Sequence, residues 1–144
     1  MERRDFLKGA CRICLLGTAG AAAFSIPGCS PSVGSSISKV EIVDNNIKIP
    51  LSLFDKNAIQ IISPKKYPYE VAVEKNKEGV YKALLLKCTH LANQLIPTGN
   101  GYTCDLHGSK FTKEGIVVKG PAAIPLQQLQ TTVTEEHLLV HLLK

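Results

Sequence analysis

Tyr69-Glu70-Val71-Ala72-Val73-Glu74 and Val80-Tyr81-Lys82-Ala83-Leu84-Leu85-Leu86-Lys87, separated by the turn cluster Asn76-Lys77-Glu78-Gly79, decide the fold class. The first segment alternates at the two-residue period of a strand, and the polar Asn/Gly cluster is a hairpin connection. Working outward, the same grammar repeats. Val40-Glu41-Ile42-Val43 and Ile47-Lys48-Ile49 flank Asp44-Asn45-Asn46, and 58–63 is a short apolar run closed by Pro64. Segments 111–118, 128–134 and 137–143 follow. Strands at roughly ten-residue spacing with Gly, Asn and Pro punctuation predict an antiparallel all-β domain. No convincing helical period occurs between 39 and 144; Leu126–Leu129 offers at most one helical turn. One region, about 86–123, is rich in Gly, Pro, Asn and Thr and reads as an inserted, loop-built subdomain with a task of its own.

The chain has 144 residues, 44% hydrophobic and 20% charged, which suits one domain with a real core and excludes wholesale disorder. The formal charge is +5. Arg occurs only at positions 3, 4 and 12, and every later basic residue is a Lys scattered among acidic neighbours. Nucleic-acid binders clamp phosphates and read bases chiefly with Arg, so nucleic acid is excluded as a partner.

Residues 1–29 read as an address. A basic start precedes an uncharged stretch, 13–29, that is short for a spanning helix of about 20 residues and fits the apolar region of a signal. Arg3-Arg4-Asp5-Phe6-Leu7-Lys8 resembles a twin-arginine export motif, with Glu2 where Ser or Thr is usual. Ile26-Pro27-Gly28-Cys29-Ser30 resembles a lipoprotein processing box with Cys29 as the lipid site. If the box is cut, the mature chain is anchored by lipid at Cys29; if not, the apolar stretch stays as the anchor. Both place the folded part in the bacterial cell envelope, outside the cytoplasm. Residues 30–38, Ser-rich and polar, form a tether, and the domain is expected over 39–144.

Cys11 and Cys14 fall inside the signal, which leaves Cys88 and Cys104 in the body of the chain. Two Cys in an exported domain read by default as one disulfide. The histidines argue otherwise. Cys88-Thr89-His90 is followed, after thirteen residues, by Cys104-Asp105-Leu106-His107-Gly108-Ser109. Each half supplies one thiolate and one imidazole, so two loops deliver a four-ligand metal set. Structural zinc with a Cys2His2 set is one alternative, but zinc fingers pair Cys with Cys and His with His. A mixed pair on each loop suits a two-iron cluster with thiolates on one iron and imidazoles on the other.

From about Lys39 to Lys144 the sequence resembles the Rieske family. The resemblance is sharpest in Lys87-Cys88-Thr89-His90-Leu91, in Cys104–Phe111, and in Gly120-Pro121-Ala122, which is similar to the proline loop that covers the cluster. It implies a [2Fe–2S] cluster with Cys88 and Cys104 on the inner iron and His90 and His107 on the outer, and three antiparallel sheets with the cluster-binding subdomain set on a larger base. Two neutral imidazoles in place of thiolates raise the potential into a window of roughly −150 to +300 mV, against about −400 mV for plant-type centres. High-potential relatives carry two further Cys that link the cluster loops; the matching positions are Asn93 and Leu106. Those relatives also have a Tyr donating to a ligand sulfur where this chain has Phe111, whereas Ser109, whose hydroxyl would reach a bridging sulfide, is kept. Fewer hydrogen bonds to sulfur place the expected potential in the lower half of that window.

His137 and His141 share a face near the C-terminus but are flanked by Leu138, Leu139, Val140, Leu142 and Leu143, a closing strand. No nucleophile–base arrangement or phosphate loop occurs, and an oxygenase would need a catalytic domain for which 39–144 has no room. The expected function is therefore a membrane-anchored electron carrier that serves an extracytoplasmic cytochrome or oxidoreductase. A structural zinc lipoprotein, a ferredoxin-like component of an oxygenase, and a subunit of a quinol-oxidising complex are the alternatives.

Overall fold

The structure is a computed structural model that describes residues 37–142. In chain order its strands are β1 (Ile37–Val40), β2 (Ile42–Val43), β3 (Asn46–Pro50), β4 (Ile59–Pro64), β5 (Val71–Lys75), β6 (Tyr81–Leu85), β7 (Ile96–Thr98), β8 (Gly101–Thr103), β9 (Lys110–Thr112), β10 (Val117–Lys119), β11 (Gln128–Leu129), β12 (Thr131–Val133) and β13 (His137–His141). A 3-10 turn at Leu51–Phe54 is the only helix among the described residues. The strands form sheets of order β1-β4-β5-β6-β11, β12-β13-β3-β2 and β10-β9-β8-β7. The all-β expectation is met. Strand β11 begins the segment expected as a strand at 128–134, with Gln128 and Leu129 paired to Leu84 and Ala83 of β6, and the one helical turn allowed at 126–129 does not form.

The β5–β6 hairpin is the centre of the described domain. Val71 pairs with Leu85 and Lys75 with Tyr81, and the turn between them is closed by the Asn76 side chain, which accepts the N–H groups of Glu78 and Val80. Both faces of this hairpin are covered. Val71, Val73, Ala83 and Leu85 join Ile47, Ile49, Leu138 and Val140 in one core, against the β12-β13-β3-β2 sheet. Ala72, Leu84 and Leu86 point the other way and join Leu95, Tyr102, Phe111, Ala122 and Leu126 in a second core. The period of two therefore survives in which core each side chain enters, not in an apolar/polar alternation, as a sheet buried on both faces requires.

Two segments expected as single strands are split between sheets. Val40 and Ile42 lie in different sheets on either side of Glu41, and Leu129 and Thr131 do the same around Gln130. β1 pairs with β4 in parallel, an exception to the antiparallel expectation. The chain leaves β1, builds β2 and β3 in the other sheet and returns as β4, a route long enough for a parallel connection. Among the described residues no helix is long and apolar enough to cross a membrane. The signal and lipid site expected in 1–29, Cys29 included, lie outside the described residues.

Candidate metal centre

The second core ends in two sulfur atoms. Cys88 and Cys104 are buried at 3% and 1% exposure and carry free thiols, whereas His90 and His107 are exposed. The imidazole rings lie 5.0 Å apart between centroids, at 82° to one another. The four residues thus come together as two pairs of different character, thiols against the core and imidazoles toward solvent.

Each loop is held by its own backbone. In the first, Leu95 N–H donates to Leu86 O and Cys88 N–H to Asn93 O, so the chain between them must bulge outward. Thr89 Oγ1 donates to Ile124 O at 2.7 Å, and Tyr69 Oη from the base to Ala92 O. The Gln94 carboxamide accepts Glu70 N–H at 2.9 Å, which fastens the loop to the residue that leads into β5. Burial pushes the Glu70 carboxyl up from the ordinary range.

In the second loop, Cys104 N–H donates to Ser109 O at 2.8 Å and Gly108 N–H to Cys104 O at 3.0 Å. Gly108 has φ +75°, a left-handed conformation that costs a residue with a Cβ roughly 1 kcal/mol or more. This tight turn aims backbone N–H groups at sulfur. Burial pushes the Cys104 thiol up, but the N–H groups of His107 and Leu106, the Cys88 thiol and the Asn93 amide all favour the thiolate, and the balance lies below the ordinary thiol value. A thiolate is the form that binds metal.

The remaining expected residues close around this end. Ser109 is fully buried and its Oγ accepts Ala122 N–H at 3.0 Å, which ties the second loop to Gly120-Pro121-Ala122, where the Gly120–Pro121 bond is cis. Phe111 is buried in the second core. Asn93, read in the sequence only as a position lacking a Cys, turns out to touch both loops; an amide side chain at a cross-link position was the available signal. His137 and His141 sit well outside this cluster of residues, on β13. His141 contacts Thr132 Oγ1 at 2.8 Å and Asn46 Oδ1 at 2.7 Å. Among the described residues no three His, Cys, Asp or Glu side chains converge as a single metal ion would need.

Comparison with known proteins gives the family. The Rieske [2Fe–2S] domain model matches residues 51–130. The cytochrome b6-f complex iron-sulfur subunit of Synechococcus elongatus is 31% identical over 153 positions, covering 97% of this chain and 83% of that one. The cytochrome b6-f complex iron-sulfur subunit 2 of Synechocystis is 28% identical, covering 81% and 68%. The crystal structure of the cyanobacterial plasma membrane Rieske protein PetC3 from Synechocystis superposes with a TM-score of 0.51 at 26% identity, covering 65% of this chain and 96% of that one. The chain belongs to the Rieske [2Fe–2S] family. Its cofactor is the [2Fe–2S] cluster, and its work is electron transfer.

Proposed function

We propose that Cys88 and Cys104 hold one iron of the cluster, that His90 and His107 hold the other, and that the domain passes single electrons between redox partners outside the cytoplasm. The observation that carries this is the division of the donors: two buried sulfurs and two exposed rings. A single zinc ion would draw all four to one point, whereas a two-iron cluster takes two ligands at each end. When bound, the cluster supplies reversible one-electron chemistry at an iron whose imidazole ligands face solvent. The protein's residues do the rest. The second core keeps water from the sulfurs, the turn at Gly108 aims N–H groups at Cys104, and Leu91 and Leu106, 52% and 54% exposed beside the histidines, offer a partner an apolar rim.

The N-terminal signal and Cys29 would tether the domain to the membrane, with Ser-rich 30–36 as the tether, since Ile37 and Ser38 of the expected linker pair with β4 in strand β1. The purified protein tests the central reading. A brown protein with a rhombic electron paramagnetic resonance signal on reduction is expected; a colourless protein carrying zinc would overturn it.

A second reading, as the iron–sulfur subunit of a quinol-oxidising complex, is favoured by the identity to cytochrome b6-f subunits. Phe111 and the absence of a link between Asn93 and Leu106 weigh against it, since both lower the potential. Gentle purification from membranes decides: copurification with a b-type cytochrome supports the complex, and recovery as a lone domain supports the carrier.

A further inference from the structure

Asn93 bonds both within the first loop and across to the second. Its carbonyl oxygen accepts Cys88 N–H at 2.8 Å. Its side-chain amide nitrogen lies 2.8 Å from Asp105 Oδ1, 3.7 Å from Cys104 Sγ and 3.2 Å from Gln94 O. An amide nitrogen has two hydrogens, so three acceptors share them, and the carboxylate and the sulfur are the two that lie on the other loop. Cys88 and Cys104 are free, so no disulfide between them joins the loops.

We propose that Asn93 is a positioning residue for the cluster, a non-covalent latch through Asp105 that also directs an N–H donor at the Cys104 sulfur. The proposal rests on Cys104 being a ligand. The latch holds the two loops at the separation the cluster needs, and the shared hydrogen stabilises negative charge on sulfur. Adding one electron to the cluster makes and breaks no bond, but it raises the charge on the ligand sulfurs. A donor there favours the reduced form and raises the midpoint potential.

The two roles separate in two variants of the full chain. Asn93→Leu, with the same branched heavy-atom outline and no N–H, removes both. Asp105→Ala removes the latch and leaves the amide to the sulfur. Both are expected to shorten the lifetime of the bound cluster in chelator. Only Asn93→Leu is expected to shift the midpoint down, read by a spectroscopic redox titration. Asn93→Ser, which keeps a donor on a shorter arm, should fall between Asn93→Leu and the parent, and it carries the measurement if the Leu variant does not load. An unshifted midpoint in a loaded Asn93→Leu or Asn93→Ser protein overturns the donor role.

The apoprotein tests the latch without the cluster. The Asn93→Leu/Asp105→Ala double variant should melt with the less stable single variant; a fully additive loss overturns the latch. Failure of the ligand reading looks different: there the parent protein itself carries no cluster, whatever stands at 93.

Discussion

The buried Ser109 hydroxyl oxygen accepts the backbone N–H of Ala122, 13 residues along the chain, at 3.0 Å. This bond joins the second cluster loop to the proline loop, and because the oxygen is the acceptor, its own hydrogen is free to point at the cluster. Ser109→Ala should therefore do two things. It leaves Ala122 N–H buried without its partner, a loss of about 1–3 kcal/mol, and it lowers the midpoint potential by removing a donor to a sulfide. Thermal melting and a redox titration read the two effects separately. A destabilised variant with an unchanged midpoint would mean that Ser109 serves only the loop.

Cys88→Ser and His107→Ala should each abolish the cluster's absorbance and its paramagnetic signal. The loops then lose the cluster and keep the Asn93 contacts to Asp105 and Cys104, so proteolysis between 88 and 123 should quicken while the base stays resistant. His141→Ala is the contrast. It removes bonds to Thr132 and Asn46 on the base, lowering stability by about 1 kcal/mol with the cluster spectrum intact. Loss of the cluster there would place a ligand outside the two loops.

Phe111→Tyr tests the missing hydroxyl. Phe111 is 2% exposed in the second core, where an added O–H must find an acceptor or destabilise the fold by about 1–3 kcal/mol. If a ligand sulfur is within its reach, the midpoint rises and little stability is lost. A stability loss with no rise in midpoint would show that the hydroxyl points elsewhere.

Gly101→Ala should cripple the β10-β9-β8-β7 sheet. Gly101 has φ +149°, and a Cβ there would stand 2.0 Å from the carbonyl oxygen of Phe111 on the paired strand β9. That overlap with backbone cannot be relieved by a side-chain rotation, so the expected loss is on the order of 3 kcal/mol or more, with poor cluster retention. Gly99→Ala, where a Cβ meets nothing within 4 Å, should stay within about 0.5 kcal/mol of the parent. Equal melting temperatures for the two variants would refute the argument.

How legible this was depends on whether a feature is local. The β5–β6 hairpin could be read because its turn chemistry and apolar run are contiguous. The breaks at Glu41 and Gln130 could not, since nothing in Val40–Val43 or Gln128–Thr134 reports that two sheets compete for the same strand; only the burial of Val40 in the shared core and the pairing of Leu129 with Ala83 reveal it. The four proposed donors could be picked out because metal chemistry dictates residue type and spacing, and the fold buries the two thiols and sets the two imidazoles side by side. Asn93 was not, because an amide means something only beside its acceptors, and Asp105 and Cys104 are brought to it by the fold.

The N-terminal reading and the cluster make one joint prediction. Iron and sulfide are inserted in the cytoplasm, and an unfolded chain threaded across a membrane could not carry them. A domain that carries such a cluster should cross already folded, which is what a twin-arginine signal provides. Arg3→Lys with Arg4→Lys should leave the protein in the cytoplasm with its cluster spectrum unchanged, since neither residue belongs to the domain. Cys29→Ala should leave export intact and abolish lipid attachment, releasing soluble protein if the signal is still cut and leaving the precursor in the membrane if it is not. Fractionation with lipid labelling separates these outcomes. Normal export of the loaded double-Lys variant would break the argument for folded transport, and lipid labelling that survives Cys29→Ala would remove the lipoprotein reading.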